Sequence, residues 1–232
     1  MELPKVLIAC PTSKHHKYCL KDFTDAVKNF TYPNYDILIA ENSKDDEYFD
    51  ELKKAGFNVV KGPWHDGVIP RITASRNLLR DYMLKNNYDY YFSMDQDTIH
   101  PGNVIERLMK HDKDIVSGVY FNFHMVNGKP IEMPMVFVDY DDETEMMKYV
   151  EMRQLAKPQL MNVSAFGMGC VLIKRHVMEK IPFRYDEKKG GFEDVFFCYD
   201  ARKLGFGLYV DTNVRCDHIT VRGGKWKGEN LY

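Results

Sequence analysis

Apolar residues in the first half of the chain come in short unbroken runs, separated by polar segments. Lys5 to Cys10 (KVLIAC) and Tyr35 to Ala40 (YDILIA) are two such runs. Continuous rather than alternating apolar residues mark strands covered on both faces, as in a parallel sheet. Phe57 to Val60 and Asp114 to Tyr120 (DIVSGVY) repeat the pattern. Between these runs, Leu20 to Phe30, Asp46 to Ala55, Arg71 to Asn86 and Asn103 to His111 read as helices. In the third of them Ile72, Leu78, Leu79, Tyr82 and Met83 fall on or near one face. Gly56 is placed to end the second. Strand and helix alternate as far as Tyr120, which predicts a parallel sheet with right-handed crossovers. Beyond Tyr120 the pattern is mixed. A strand-like MPMVFVDY leads into the acidic run Asp141 to Glu145, which reads as a solvated turn. A strand within Met161 to Ile173, helices at His176 to Ile181 and Phe192 to Leu204, and strands at Gly205 to Asp211 and Val214 to His218 follow.

One run carries more than packing. Tyr88 to Pro101 reads YDYYFSMDQDTIHP, an apolar strand that ends in two aspartates one residue apart. In an open α/β sheet, ligands bind outside the carboxyl ends of the strands. Two carboxylates there repel each other unless a cation lies between them. Asp95 and Asp97 are therefore candidates to hold a divalent metal against a diphosphate; a charged turn after a strand is the alternative. Glu41 closes the second strand, where an acid can accept hydrogen bonds from a ribose or a base. Ser43 or Asp45 there would instead cap the next helix. Arg71 and Arg76, near the start of their predicted helix, suit an anion; a solvated Arg or an ion pair with Asp81 is the plainer option. Lys61 to Pro70, rich in Gly and Pro and carrying Trp64, is a loop of the kind that touches ligands. Gly167 and Gly169 precede an apolar run, which suggests backbone close to a ligand. Glu193 and Asp194 open a helix, where the dipole alone would favour acids and would keep Asp194 ionised.

Composition narrows the classes. The 232 residues are 44% apolar and 28% charged, an ordinary globular balance, with a net charge of −2. That excludes a general nucleic-acid or polybasic membrane binder. Five cysteines at wide spacing, with no C-x-x-C, argue against a disulfide scaffold and a structural zinc site and suit a reducing compartment. The first apolar run is too short for a membrane span, and no stretch reaches eighteen apolar residues, so a cytoplasmic protein without a transmembrane segment is expected. His15, His16, His65 and His124 are assigned structural roles, the first two as an exposed polar pair.

The order of these motifs resembles the GT-A fold glycosyltransferases, in particular the family-2-like nucleotide-sugar transferases. The likeness rests on Pro11-Thr12, Glu41, Arg76-Asn77, the D-x-D of Asp95 and Asp97, Ser117-Gly118, Phe166 to Gly169, Glu193-Asp194 and the late His218. It implies a mostly parallel, Rossmann-like α/β sheet flanked by helices, with a smaller mixed acceptor half. One domain over 1–220 is implied: a nucleotide-sugar half at 1–120, an acceptor half at 121–220, and a flexible tail at 221–232 whose Arg222, Lys225 and Lys227 could fold over a diphosphate. The resemblance further implies a transfer of sugar from a nucleoside-diphosphate sugar to a hydroxyl acceptor (glycan, lipid or protein), with inversion. Pro11 and Thr12 would line the base pocket, Glu41 would meet the nucleoside, and Arg76 would sit near base or phosphates. Asp97 and His218 would ligate Mn²⁺ or Mg²⁺, Asp95 would contact the ribose or the metal, and the imidazole leans the choice toward Mn²⁺. Gly167, Gly169 and Glu193 would contact substrate, and Asp194 would be the general base. Two other readings stay open: a sugar-phosphate nucleotidyltransferase, disfavoured because PTSKHHK after the first strand holds no glycine, and a catalytically inactive nucleotide-sugar-binding module.

Overall fold

The computed structural model describes residues 3–126, 129–141, 143–144, 146–188, 191–219 and 225–226. The first half runs β1 (Val6–Thr12), a 3-10 turn (Lys14–Cys19), α1 (Leu20–Lys28), β2 (Tyr35–Glu41), α2 (Glu47–Lys54) and β3 (Val59–Lys61). It continues through α3 (Val68–Lys85), β4 (Tyr90–Met94), β5 (Thr98–Ile99), α4 (Val104–Met109) and β6 (Ile115–Val119). The second half opens on a hairpin, β7 (Phe121–Val126) and β8 (Lys129–Pro134), then β9 (Val136–Val138), β10 (Lys148–Tyr149) and α5 (Met152–Leu155). The remaining elements are β11 (Leu160–Val163), β12 (Ala165–Phe166), β13 (Cys170–Lys174), α6 (Arg175–Lys180) and α7 (Glu193–Lys203). Then come β14 (Leu208–Arg215), β15 (Asp217–Ile219) and β16 (Lys225–Trp226).

Eight strands form the central sheet in the order β11-β14-β6-β13-β4-β1-β2-β3. The pairs β1–β2, β1–β4, β2–β3 and β6–β14 are parallel. Two strands run against the rest, β11 at the edge beside β14 and β13 in the interior. β13 lies antiparallel between β4 and β6, so the crossover after β4 skips a position that a later segment fills. An apolar run carries no sign of its direction in the sheet, so the sequence could not announce this. The insertion also joins the halves, because β6 and β4 meet only through a strand from the second half.

Strand β1 shows why these runs are continuous. Val6, Ile8 and Cys10 pack into one core with Phe23, Phe92, Val104 and Leu108. Leu7 and Ala9 pack into the other with Leu79, Met83, Tyr91 and Phe197. Every residue of the strand is buried. Helix α3 begins at Val68, before the expected Arg71, because Pro70 is accommodated in the first turn, where its missing N–H costs nothing. The shift moves Arg76 two turns into the helix. Gly56 ends α2 at φ +91°, a left-handed conformation that only glycine adopts freely. Among the described residues no helix is long and apolar enough to cross a membrane. Arg222 and Lys227 lie outside the described residues; Lys225 and Trp226 pair with Ile219 and His218.

Candidate active site

The parallel register of β1, β2 and β4 brings their carboxyl ends to one edge. Thr12 stands beside Glu41, and β4 ends one residue before Asp95. Gln96, between the two aspartates, points inward and is buried. Its amide accepts from Thr12 Oγ1 and donates to Tyr48 Oη and to the His16 carbonyl, at 3.1 Å for the latter. The middle residue of the D-x-D thus fastens the turn to β1, the 3-10 turn and α2, leaving the aspartates on either side of it.

The two aspartates have separate surroundings. Asp97 Oδ2 lies 3.2 Å from His218 Nε2, 3.3 Å from Tyr18 Oη and 3.7 Å from His16 Nε2. Two strand pairings place His218 there: β15 lies antiparallel to β5, and the Ile219 N–H donates to the Asp97 carbonyl at 2.8 Å. His218 Nδ1 donates to the Phe121 carbonyl at 2.7 Å. Its Nε2 then faces a carboxylate oxygen, and two lone pairs at that distance require a proton or a cation between them. The titration behaviour says the same. Burial works to raise the Asp97 pKa, but His218 and then His16 outweigh it and hold the carboxyl below its usual value. Burial works to lower the His218 pKa, but Asp97 raises it on balance. A carboxylate oxygen and an imidazole nitrogen whose tautomer is fixed by a carbonyl suit a divalent ion.

Asp95 turns the other way. Its Oδ1 accepts from Arg76 Nη2 at 2.9 Å, while Arg76 Nε donates to Glu193 Oε1 at 2.6 Å and Nη1 to Ser93 Oγ at 2.8 Å. Asp95, Asp97 and His218 do not gather three ligand atoms within 4.8 Å of one another. Arg76 is 1% exposed. Burial alone would lower its pKa, but Asp95 and Glu193 hold the guanidinium charged. The expectation that Arg76 meets base or phosphates is therefore corrected: it is an internal counterion, and neither a helix-terminus anion site nor a partner of Asp81. Glu193, expected to touch substrate, is likewise buried against it.

That ion-pair chain ends beside Asp194. Asp194 Oδ1 accepts from the Val195 N–H at 2.7 Å at the start of α7, yet its pKa is raised, not lowered. Burial comes first among the causes and the Glu193 charge second, and together they outweigh the helix terminus. Burial, then the charges of Asp95 and Asp194, push the Tyr120 hydroxyl pKa well up.

Three further expectations need correction. Glu41 is fully buried, accepting from the Ser43 N–H and Lys61 Nζ at 2.9 Å each, so it organises the strand end from within. Gly167 and Gly169 make room for Tyr120. A Cβ at Gly167 would stand 2.0 Å from Tyr120 Oη, and one at Gly169 2.9 Å from Tyr120 Cζ. Of the expected exposed pair, His15 is exposed but His16 is half-buried. His16 approaches Asp97, and both line a cleft of about 270 Å³ with Pro11, Thr12, Asn42 and Arg71. A second cleft, of about 320 Å³, shares Ser13, His15 and Arg71 and adds Ser43, Lys44 and Trp64. Trp64 carries the Arg71 guanidinium over its ring at 4.5 Å. A larger cleft of about 890 Å³ lies at the amino ends of β1 and β4, around Lys5, Asp89 and Lys174, away from these carboxylates. Tyr18 and Gln96 were not singled out from sequence, and His16 was read only as part of an exposed pair; the fold of the 3-10 turn brings Tyr18 and His16 to Asp97.

No family model matches the chain, and no curated protein sequence does. Solved structures do. The crystal structure of A197 from STIV matches at 18% identity and a TM-score of 0.55, over 96% of this chain and 93% of that one. Two crystal structures of S. aureus TarS 1–349, one with UDP and one with UDP-GlcNAc, match at 13% identity with TM-scores of 0.56 and 0.58. Each covers 90% of this chain, which spans 58% and 56% of theirs. The fold is GT-A. Its large, mostly parallel sheet with flanking helices is the architecture that the motif order implied.

Proposed function

We propose that the chain is a divalent-metal-dependent glycosyltransferase that moves a sugar from a nucleoside-diphosphate sugar to a hydroxyl acceptor, with inversion. The observation that carries it is the Asp95–Arg76–Glu193 chain. It ties the carboxylate pair at the end of β4 to the first turn of α7, where Asp194 stands on the acceptor side. The UDP and UDP-GlcNAc complexes of the TarS structures support a nucleotide-sugar donor.

Asp97 and His218 would hold Mn²⁺ or Mg²⁺, which when bound stabilises charge on the leaving diphosphate. The nucleoside would enter the paired clefts beside Pro11, Thr12 and Trp64, where a base would stack on the Trp64 face that Arg71 does not cover. Asp95, held by Arg76, would contact the ribose. Asp194 takes the acceptor proton as the hydroxyl attacks the anomeric carbon. Its raised pKa makes it a stronger base than a surface aspartate, at the cost of needing a higher pH to be ionised. Incubation with a panel of nucleotide sugars and Mn²⁺ should release nucleoside diphosphate from one of them. Release from none, with no donor-induced thermal shift, contradicts the reading. Pyrophosphate release from a nucleoside triphosphate plus a sugar phosphate would make it a nucleotidyltransferase.

A further inference from the structure

Behind the candidate site lies a second group of ligand-bearing side chains that the transfer reaction does not use. Residues far apart in sequence, His100, Cys170 and Cys216, are all buried, and one ligand atom from each lies within 4.8 Å of the other two. All five cysteines are free thiols. The histidine is 5% exposed and sits edge-on to Phe92 and Phe30, with ring centroids at 5.4 and 6.4 Å. A packed core histidine would satisfy both nitrogens, and this one does not. His100 Nε2 is 2.8 Å from the Gly169 carbonyl oxygen, which fixes the proton there. Nδ1 is buried and makes no hydrogen bond of good geometry among the described residues, and the Cys170 thiol lies close to the ring. A metal-bound histidine has this arrangement: one nitrogen donates to a carbonyl and the other ligates.

We propose that Cys170, Cys216 and His100 bind a thiophilic divalent ion, Zn²⁺, as a structural site separate from Asp97 and His218. Two thiolates and an imidazole are soft ligands that select zinc over Mg²⁺ or Mn²⁺. Zn–S bonds of about 2.3 Å and Zn–N bonds of about 2.0–2.1 Å put ligand atoms of one ion roughly 3.5–4 Å apart, within a small side-chain rotation of the spacing here. Charge selects among soft ions. Each thiol releases its proton to solvent as the metal binds, so two thiolates with Zn²⁺ are neutral, whereas a monovalent ion would leave a net charge in an apolar core. The surroundings are tight: a Cβ on Gly118 would meet Cys170 Sγ at 2.9 Å.

The three ligands come from the segments that place the active-site groups. His100 follows Asp97 by three residues, Cys216 precedes His218 by two, and Cys170 starts β13 directly after Gly169. An ion there staples the β5 turn, the start of β13 and the β14–β15 junction together. Its role is to fix the geometry of the donor side and not to touch the donor.

The test is a titration of the full, reduced, metal-free chain with Co²⁺, followed by displacement with Zn²⁺. A thiolate site gives an intense near-ultraviolet sulfur-to-cobalt band, which carboxylate and imidazole ligands cannot. The expected result is a band that saturates at one ion per chain, is bleached by Zn²⁺, and persists in Asp97→Ala. It should be lost in Cys170→Ser and in Cys216→Ser, with circular dichroism reporting that both variants are folded. Absence of the band in the wild-type chain overturns the proposal and needs no variant. Survival of the band in both serine variants, or its loss in Asp97→Ala, overturns it as well.

Discussion

Asp97 and Asp194 are carboxylates pushed in opposite directions by their neighbours, and the proposed division of labour follows from that. Asp97 faces His218, His16 and Tyr18 and stays ionised. Asp97→Ala is expected to abolish the Mn²⁺-dependent part of donor binding while sparing the rest, measured by calorimetry with and without the ion. Asp194 is raised by burial and by Glu193. As a base it must lose its proton, so the transfer rate should climb with pH through a range above that of an ordinary aspartate. Asp194→Asn should remove transfer and leave donor binding intact. The stability linkage has the opposite sense. A folded-state pKa above the unfolded one means stability that is full at low pH and lost as pH rises through the folded value. At pH 8 Asp194→Asn should therefore melt higher than wild type, by roughly 2–4 °C for each kcal/mol relieved, and the gap should close in acid. Equal melting temperatures at all pH values would mean that Asp194 is not strained. The sequence named both residues but assigned Asp194 the wrong direction, because helix position is visible along the chain and burial is not.

Between elements, Arg76 joins α3, β4 and α7. Removing one partner of a buried ion pair leaves an uncompensated charge, and Arg76→Met would leave Asp95 and Glu193 without theirs. The expected cost is about 3–5 kcal/mol in urea unfolding; a loss under about 1 kcal/mol would show that the pairing holds little together. The Gly167 segment gives a second test. Gly167→Ala drives a methyl into Tyr120 Oη and should cost about 1–3 kcal/mol. Tyr120→Phe in the same chain should recover part of that, and additive losses would contradict the packing described. Arg76, Glu41 and the two glycines were all legible as unusual positions. Their partners were not, since each partner lies across the fold: Glu193 is 117 residues from Arg76. A motif on the sequence shows where chemistry-bearing types cluster, but not whether they face ligand or each other.

In the whole molecule the elements of the first half were readable because both-face burial leaves continuous apolar runs. The position of β13 was not, because its direction depends on which slot an earlier crossover left open. That insertion brings Cys170 against the segments of His100 and Cys216 and makes one unit of the two halves. The same topology gathers the cleft by Pro11 and Trp64, the Asp97–His218 pair and Asp194 on one side of the sheet. The most direct measurement is a crystal structure with Mn²⁺ and a nucleoside diphosphate. The account predicts the ion on Asp97 and His218, the diphosphate on the ion, and the base in the clefts lined by Pro11, His15 and Trp64. A nucleotide bound instead among Lys5, Asp89 and Lys174, or a diphosphate bound with no ion at Asp97, would contradict it.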